Sequence, residues 1–277
     1  TLDDIAWMFN IRGNDVEYNP VTIAYAYISQ DDVRLFIDST KLPTEVQAAL
    51  RRDNVTFAGY EEALPFLQQL PQGAKVLIDP EKTSVTIKDA LRQHCVVKEG
   101  QNIAFTLKAQ KNEAELQGIR HAHVRDGAAM VKWLCWLDQH IGQEDYTKCT
   151  VVEPLGELRS QQQHFQGLSF YPIAGYQANA ALCHYRPEPE TALTIRPEGM
   201  LLVDSGAQYL DGTTDITRTI AIGPVGTLEA QCFTRVLQGM IALSRARFPR
   251  GVAGGHLDAL ARYPLWLEGL DYDHGTG

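Results

Sequence analysis

Between Met200 and Gly223 the chain reads MLLVDSGAQYLDGTTDITRTIAIG. An apolar run delivers Asp204 at its end, Gly206 and Gly212 permit reversals, and a second β-prone run opens with Asp215. Such a pattern calls for antiparallel strands that carry two carboxylates to neighbouring positions. Carboxylates are depleted in strands, and a buried one without a partner is costly. The pair therefore needs a shared compensation. A divalent cation is the simplest, because it favours the ionised form of both groups at once. Spacing alone also admits a plainer assignment, with Asp204 capping an Asx turn and Asp215 on a strand surface.

The rest of the chain reads as α/β (α+β). Its 277 residues, with 44% hydrophobic side chains, suffice for one or two domains with uncrosslinked cores. Residues 22–29 and 33–38 predict a hairpin around Gln30-Asp31-Asp32. Helices follow at 44–52, with Thr44 as N-cap, and at 61–70, ended by Pro71. A strand at 55–60 separates them, and a strand at 74–79 precedes a helix around 84–94, giving a mixed sheet. Asn112 then caps a long helix with Glu113 and Glu115 in its first turn. Leu116, Ile119, His123, Gly127, Met130, Leu134, Leu137 and Ile141 form a stripe expected to pack on a sheet, closely at Gly127. A domain boundary is placed at about residue 108, dividing 1–108 from 109–277. Beyond it come a helix at 151–163, strands at 169–171, 200–204, 207–210 and 215–222, and a helix at 227–248.

Charge narrows the function. There are 34 acidic residues against 25 basic, a net charge of -9, which disfavours nucleic acid and anionic membranes as partners. No apolar run approaches the roughly 18 residues of a bilayer span. Five cysteines without a C-x-x-C spacing suit free thiols in a cytoplasmic protein. Thr1 in place of Met, and a last stretch that stops in a glycine-rich loop, lead us to expect that both ends were cut from a longer chain.

Two histidines accompany the aspartates. His184 lies in the apolar run Ala-Ala-Leu-Cys-His-Tyr, and His274 in Asp-His-Gly-Thr-Gly, where glycine lets backbone approach a ligand. Taken singly, each also fits a hydrogen-bonded structural histidine. There is no Gly-x-Ser-x-Gly elbow, Walker loop, Gly-x-Gly-x-x-Gly or His-Glu-x-x-His, which disfavours serine hydrolase, nucleotide and conventional zinc-peptidase chemistry.

Taken together, the Asp204/Asp215 strand pair, His184-Tyr and His274-Gly-Thr-Gly resemble the pita-bread metallopeptidases, within them the Xaa-Pro aminopeptidases of the long, three-domain type. The segments Gly212-Thr-Thr-Asp-Ile-Thr-Arg-Thr219, Leu2–Asn14 followed by Asn19-Pro20, and Lys108–Asp126 carry the same resemblance. It implies a creatinase-like middle domain at 1–108 and the first half or more of a pita-bread catalytic domain at 109–277. It also implies two divalent ions, manganese by preference, held in part by Asp204 and bridged by Asp215. His184 and His274 would face the substrate and act in catalysis. The implied reaction is removal of an N-terminal residue preceding proline, by a hydroxide ionised between the ions, in a cytoplasmic homodimer. Rival readings are a pseudoenzyme that binds peptides, a prolidase-like dipeptidase and metal-free creatine hydrolysis. The paired aspartates disfavour the first and last of these. The 277-residue chain by itself is expected to be inactive, since two carboxylates cannot hold two ions against water.

Overall fold

A computed structural model describes residues 1–185 and 192–275, so the last two residues of the His274-Gly-Thr-Gly motif lie outside it. In chain order the elements begin with α1 (Leu2–Met8), β1 (Ala24–Ile28), β2 (Val33–Ile37), α2 (Thr44–Arg52), β3 (Val55–Ala58) and α3 (Ala63–Gln68). They continue with β4 (Lys75–Ile78), α4 (Val85–Arg92), β5 (Val96–Glu99), α5 (Ile103–Ala109), α6 (Glu113–His140) and α7 (Glu153–Ser160). Strands β6 (Phe165–Leu168), β7 (Ile173–Tyr176), β8 (Met200–Ser205), β9 (Ala207–Tyr209), β10 (Gly212–Thr213) and β11 (Ile216–Ala221) follow, and α8 (Thr227–Arg245) and α9 (Gly254–Trp266) come last.

These residues form two compact units. The first comprises Thr1–Val124, His164–Phe170 and Ala207–Thr214. Its leading sheet has the order β1-β2-β3, antiparallel across the hairpin and parallel between β2 and β3. Leu35 and Ile37 point from β2 into a core with Ile5, Leu50 and Val55. Helix α2 departs from expectation at its start: Pro43, not Thr44, occupies the cap position, and no side chain caps the helix. The helix expected at 61–70 opens as a 3-10 turn, Tyr60–Glu62, before α3. Strand β5, which pairs parallel with β4, was not foreseen. Its side chains are mostly exposed, so its sequence carries no alternation to read.

Helix α6 starts where expected. Asn112 Oδ1 accepts from the Glu115 amide at 2.9 Å, and Glu115 Oε2 accepts from the Asn112 amide at 2.8 Å, a reciprocal capping box. The buried stripe differs from the expected one. It runs through Gly118, Ala122, Asp126, Ala129, Met130, Trp133 and Leu137, while His123 is exposed. Gly127 has open space around the position of a Cβ, so close packing does not explain it. The close approach is at Gly118, where a Cβ would lie 2.2 Å from the Asp211 carbonyl oxygen.

The second unit comprises Arg125–Gln163, Tyr171–Gly206 and the chain from Asp215 onward. Its sheet has the order β11-β8-β7, antiparallel throughout. One face packs against α6 and α7 through Met130, Trp133, Leu137 and Leu155, which meet Leu201 and Val203 of β8. The strand expected at 169–171 is absent. Pro172, which has no amide hydrogen to donate, separates β6 from β7 instead. Among the described residues no helix is long and apolar enough to cross a membrane.

Candidate active site

Strand β8 is central, and its alternation decides what each side chain can do. Leu201, Val203 and Ser205 are wholly buried on the face that meets α6. Asp204 therefore projects to the opposite, more open face, with Met200 and Leu202. In the register, Asp204 lies beside Thr217 of β11 and Ile173 of β7. Asp215 precedes Thr217 by two residues, one step beyond the Ser205–Ile216 pair, so it shares the face of Asp204.

The two carboxyl groups meet there. Burial, the negative charge of Asp204 and a hydrogen bond to Asp204 together raise the pKa of Asp215 above the ordinary carboxylate value. Asp204 Oδ1 is buried and has no hydrogen-bond partner among the described residues. Two carboxylates facing each other, one oxygen desolvated and unmatched, form an anionic site short of positive charge. A hard divalent cation with oxygen ligands fits that donor set.

The strand end that carries Asp204 is anchored from beneath. Arg159 on α7 makes a bidentate pair with Asp126 on α6, Nε to Oδ1 at 2.8 Å and NH2 to Oδ2 at 2.9 Å. The same NH2 reaches the Ser205 carbonyl at 3.4 Å, and both side chains are buried. Nothing in the apolar pattern marked either residue, because a buried ion pair is polar at every position.

Among the described residues no group of three or more His, Cys, Asp or Glu side chains is placed to hold a metal, so neither His184 nor His274 joins the aspartates in such a cluster. His184 was expected in a poorly solvated apolar run. It is exposed, because Leu182, Cys183 and His184 form a surface turn after the 3-10 segment Gln177–Ala181. Its neighbour Tyr185 is firmly held: the phenol oxygen accepts from Lys148 Nζ at 2.5 Å and Asn179 Nδ2 at 3.0 Å, and the wholly buried Lys148 lies 4.4 Å from the ring centre. His274 follows α9 in a loop, its ring stacked on Tyr272 at 4.5 Å. Its Nδ1 donates to the Gly275 carbonyl at 2.9 Å, which leaves Nε2 for a ligand. His123 and His140 bond locally, to the carbonyls of Ile119 and Trp136.

Facing strand carboxylates on the outer face of a sheet backed by a long helix are chemically suited to a hard cation. Residues 117–277 match metallopeptidase family M24, and residues 1–115 match the Creatinase/Prolidase N-terminal domain. The chain belongs to metallopeptidase family M24. Over its whole length it is 42% identical to a probable Xaa-Pro aminopeptidase P of Sclerotinia sclerotiorum and 39% identical to aminopeptidase P2 of Arabidopsis thaliana. It spans about half the length of these relatives, 47% and 43%. The X-prolyl aminopeptidase of Caenorhabditis elegans, described as a cytosolic enzyme with a di-nuclear active site, superposes with a TM-score of 0.92 at 36% identity. That match covers 99% of this chain and 46% of the nematode enzyme. The Xaa-Pro dipeptidase of Bacillus anthracis, at 19% identity and a TM-score of 0.73 over 97% of this chain and 72% of its own, shares the fold.

Proposed function

We propose that this chain carries part of the catalytic centre of a Xaa-Pro aminopeptidase, which hydrolyses the bond between an N-terminal residue and a following proline. The carrying observation is the facing pair Asp204 and Asp215, with Asp204 Oδ1 buried and unmatched. Relatedness to aminopeptidases P along the whole chain supports the same reading.

In this reading Asp204 and Asp215 would help to hold two divalent ions, manganese by preference for oxygen donors. When bound, the ions supply Lewis acidity and lower the pKa of a coordinated water toward neutrality. Because Asp215 holds a proton more tightly than an ordinary carboxyl, cation loading competes with that proton and weakens as pH falls. His184 and His274 face the peptide. A His184 imidazole N–H, or the Nε2–H of a doubly protonated His274, would donate to the carbonyl oxygen as negative charge develops on it. The domain boundary near residue 108, a cytoplasmic location, a homodimeric assembly and the absence of nucleic-acid or membrane partners belong to the same proposal.

The test pairs Mn2+ titration by calorimetry with hydrolysis of Arg-Pro-Pro by the intact protein. Asp204→Ala and Asp215→Ala should each abolish tight Mn2+ binding and turnover. Full binding and rate in Asp215→Ala would overturn the assignment. Cleavage of Gly-Pro in preference to the tripeptide would favour the dipeptidase alternative.

A further inference from the structure

The loop that carries His274 is tied back to helix α9 by side chains of that helix. We infer that Arg262 is the positioning residue for His274: its guanidinium ties three points of the Asp271–His274 loop to helix α9 and sets the histidine ring against Tyr272. Nε donates to Asp258 Oδ2 at 2.7 Å, one helical turn back on the same helix, which fixes the side chain's direction. NH1 donates to Asp271 Oδ1 at 2.9 Å and also to the Tyr272 carbonyl, and NH2 donates to the His274 carbonyl at 2.7 Å. The cation lies 4.1 Å from the centre of the Tyr272 ring, on which the His274 imidazole also stacks, at an interplanar angle of 24°.

Several independent restraints thus converge on one side chain that is only 14% exposed. Trp266 closes the loop from the helix end, donating from Nε1 to Asp271 Oδ2 at 2.9 Å. A flat fork with several donors can satisfy a carboxylate and two carbonyls at once, and lysine cannot. The loop has no regular secondary structure of its own, so without the fork the backbone of Tyr272 and His274 loses these two links to α9. Arg262 acts through His274 and touches no reacting atom. The substrate-facing role of His274 rests on the function proposed above, but the clamp does not.

The experiment compares wild type with Arg262→Lys and Arg262→Gln, with His274→Gln to assign the ring signal by NMR. In wild type, stacking on Tyr272 should shift the His274 ring protons upfield through the ring current. Both Arg262 variants should lose that shift and show greater ring mobility, while Mn2+ affinity at Asp204 and Asp215 stays unchanged. Arg262→Lys keeps the charge in the helix, so it separates loss of the fork from loss of the fold. An undiminished upfield shift in Arg262→Lys would overturn the inference. Binding of Arg-Pro-Pro should weaken roughly tenfold to a hundredfold in both Arg262 variants and in His274→Gln. A wild type that binds no prolyl peptide would end the functional reading, and the ring signal would still decide the role of Arg262.

Discussion

Removing the guanidinium of Arg159 is the sharpest test of how the site is supported. Arg159 and Asp126 are essentially inaccessible to water and meet through two short bonds, 2.8 and 2.9 Å. Arg159→Met takes the guanidinium away from the buried Asp126 carboxylate, which should destabilise the chain by about 3–5 kcal/mol. At roughly 2–4 °C per kcal/mol for a chain of this size, the melting temperature should fall by some 6–20 °C. Removing both charges is a different perturbation. Asp126→Leu combined with Arg159→Met leaves no orphaned ion, and apolar replacement of a buried pair is often close to neutral. The double variant should therefore lie within about 2 kcal/mol of the parent, giving a large coupling energy between the sites. Urea unfolding of the parent, both single variants and the double variant, with tryptophan fluorescence as signal, completes the cycle. Additive single effects, or an Arg159→Met variant within about 1 kcal/mol of wild type, would refute the reasoning, since neither is compatible with a desolvated pair.

Further expectations follow from the same geometry. In chelator the Asp204–Asp215 pair should make stability pH-dependent. A raised carboxyl pKa in the folded state contributes stability below the unfolded value, near 4, and loses it as pH rises through the folded one, so the metal-free chain should melt lower at neutral than at mildly acidic pH. Asp215→Asn should flatten that dependence and remove the stabilisation by Mn2+; an unchanged pH profile of melting temperature would contradict it. Gly118→Ala drives a Cβ toward the Asp211 carbonyl and should cost about 1–3 kcal/mol in urea unfolding, whereas Gly127→Ala should be neutral or stabilising. Tyr185→Phe takes away a hydroxyl that accepts from buried Lys148, and should cost about 1–3 kcal/mol by the same assay.

What the sequence made legible follows from which signals survive folding. The β1–β2 hairpin, the start of α6 and the pairing of β8 with β11 were readable because β-prone runs bounded by turn residues, and a helix cap, are local signals. Proximity of Asp204 to Asp215 was readable for the same reason, since the strand register alone puts them on one face. The inner stripe of α6 was misread because its buried members include Gly118, Ala122 and Asp126, two small residues and an ion. Hydrophobic periodicity finds none of these. The surroundings of His184 were misread because an apolar run resembles a buried one, and here Leu182 stays 59% exposed. Arg262 carried a faint local hint, an Asp four residues earlier on a helix, but its loop partners become visible only once the chain returns past Trp266.

The division of labour along β8 also shapes how such a chain can evolve. Neighbouring positions on that strand belong to two separate constraints, one set by the interior and one by the chemistry outside. Point changes at Met200 or Leu202 can therefore leave the interior intact. Inserting or deleting a single residue there would exchange the two sets at a stroke, sending the carboxylate inward and the aliphatics outward. Lineages should thus tolerate drift in letters along this strand and reject any change in its length.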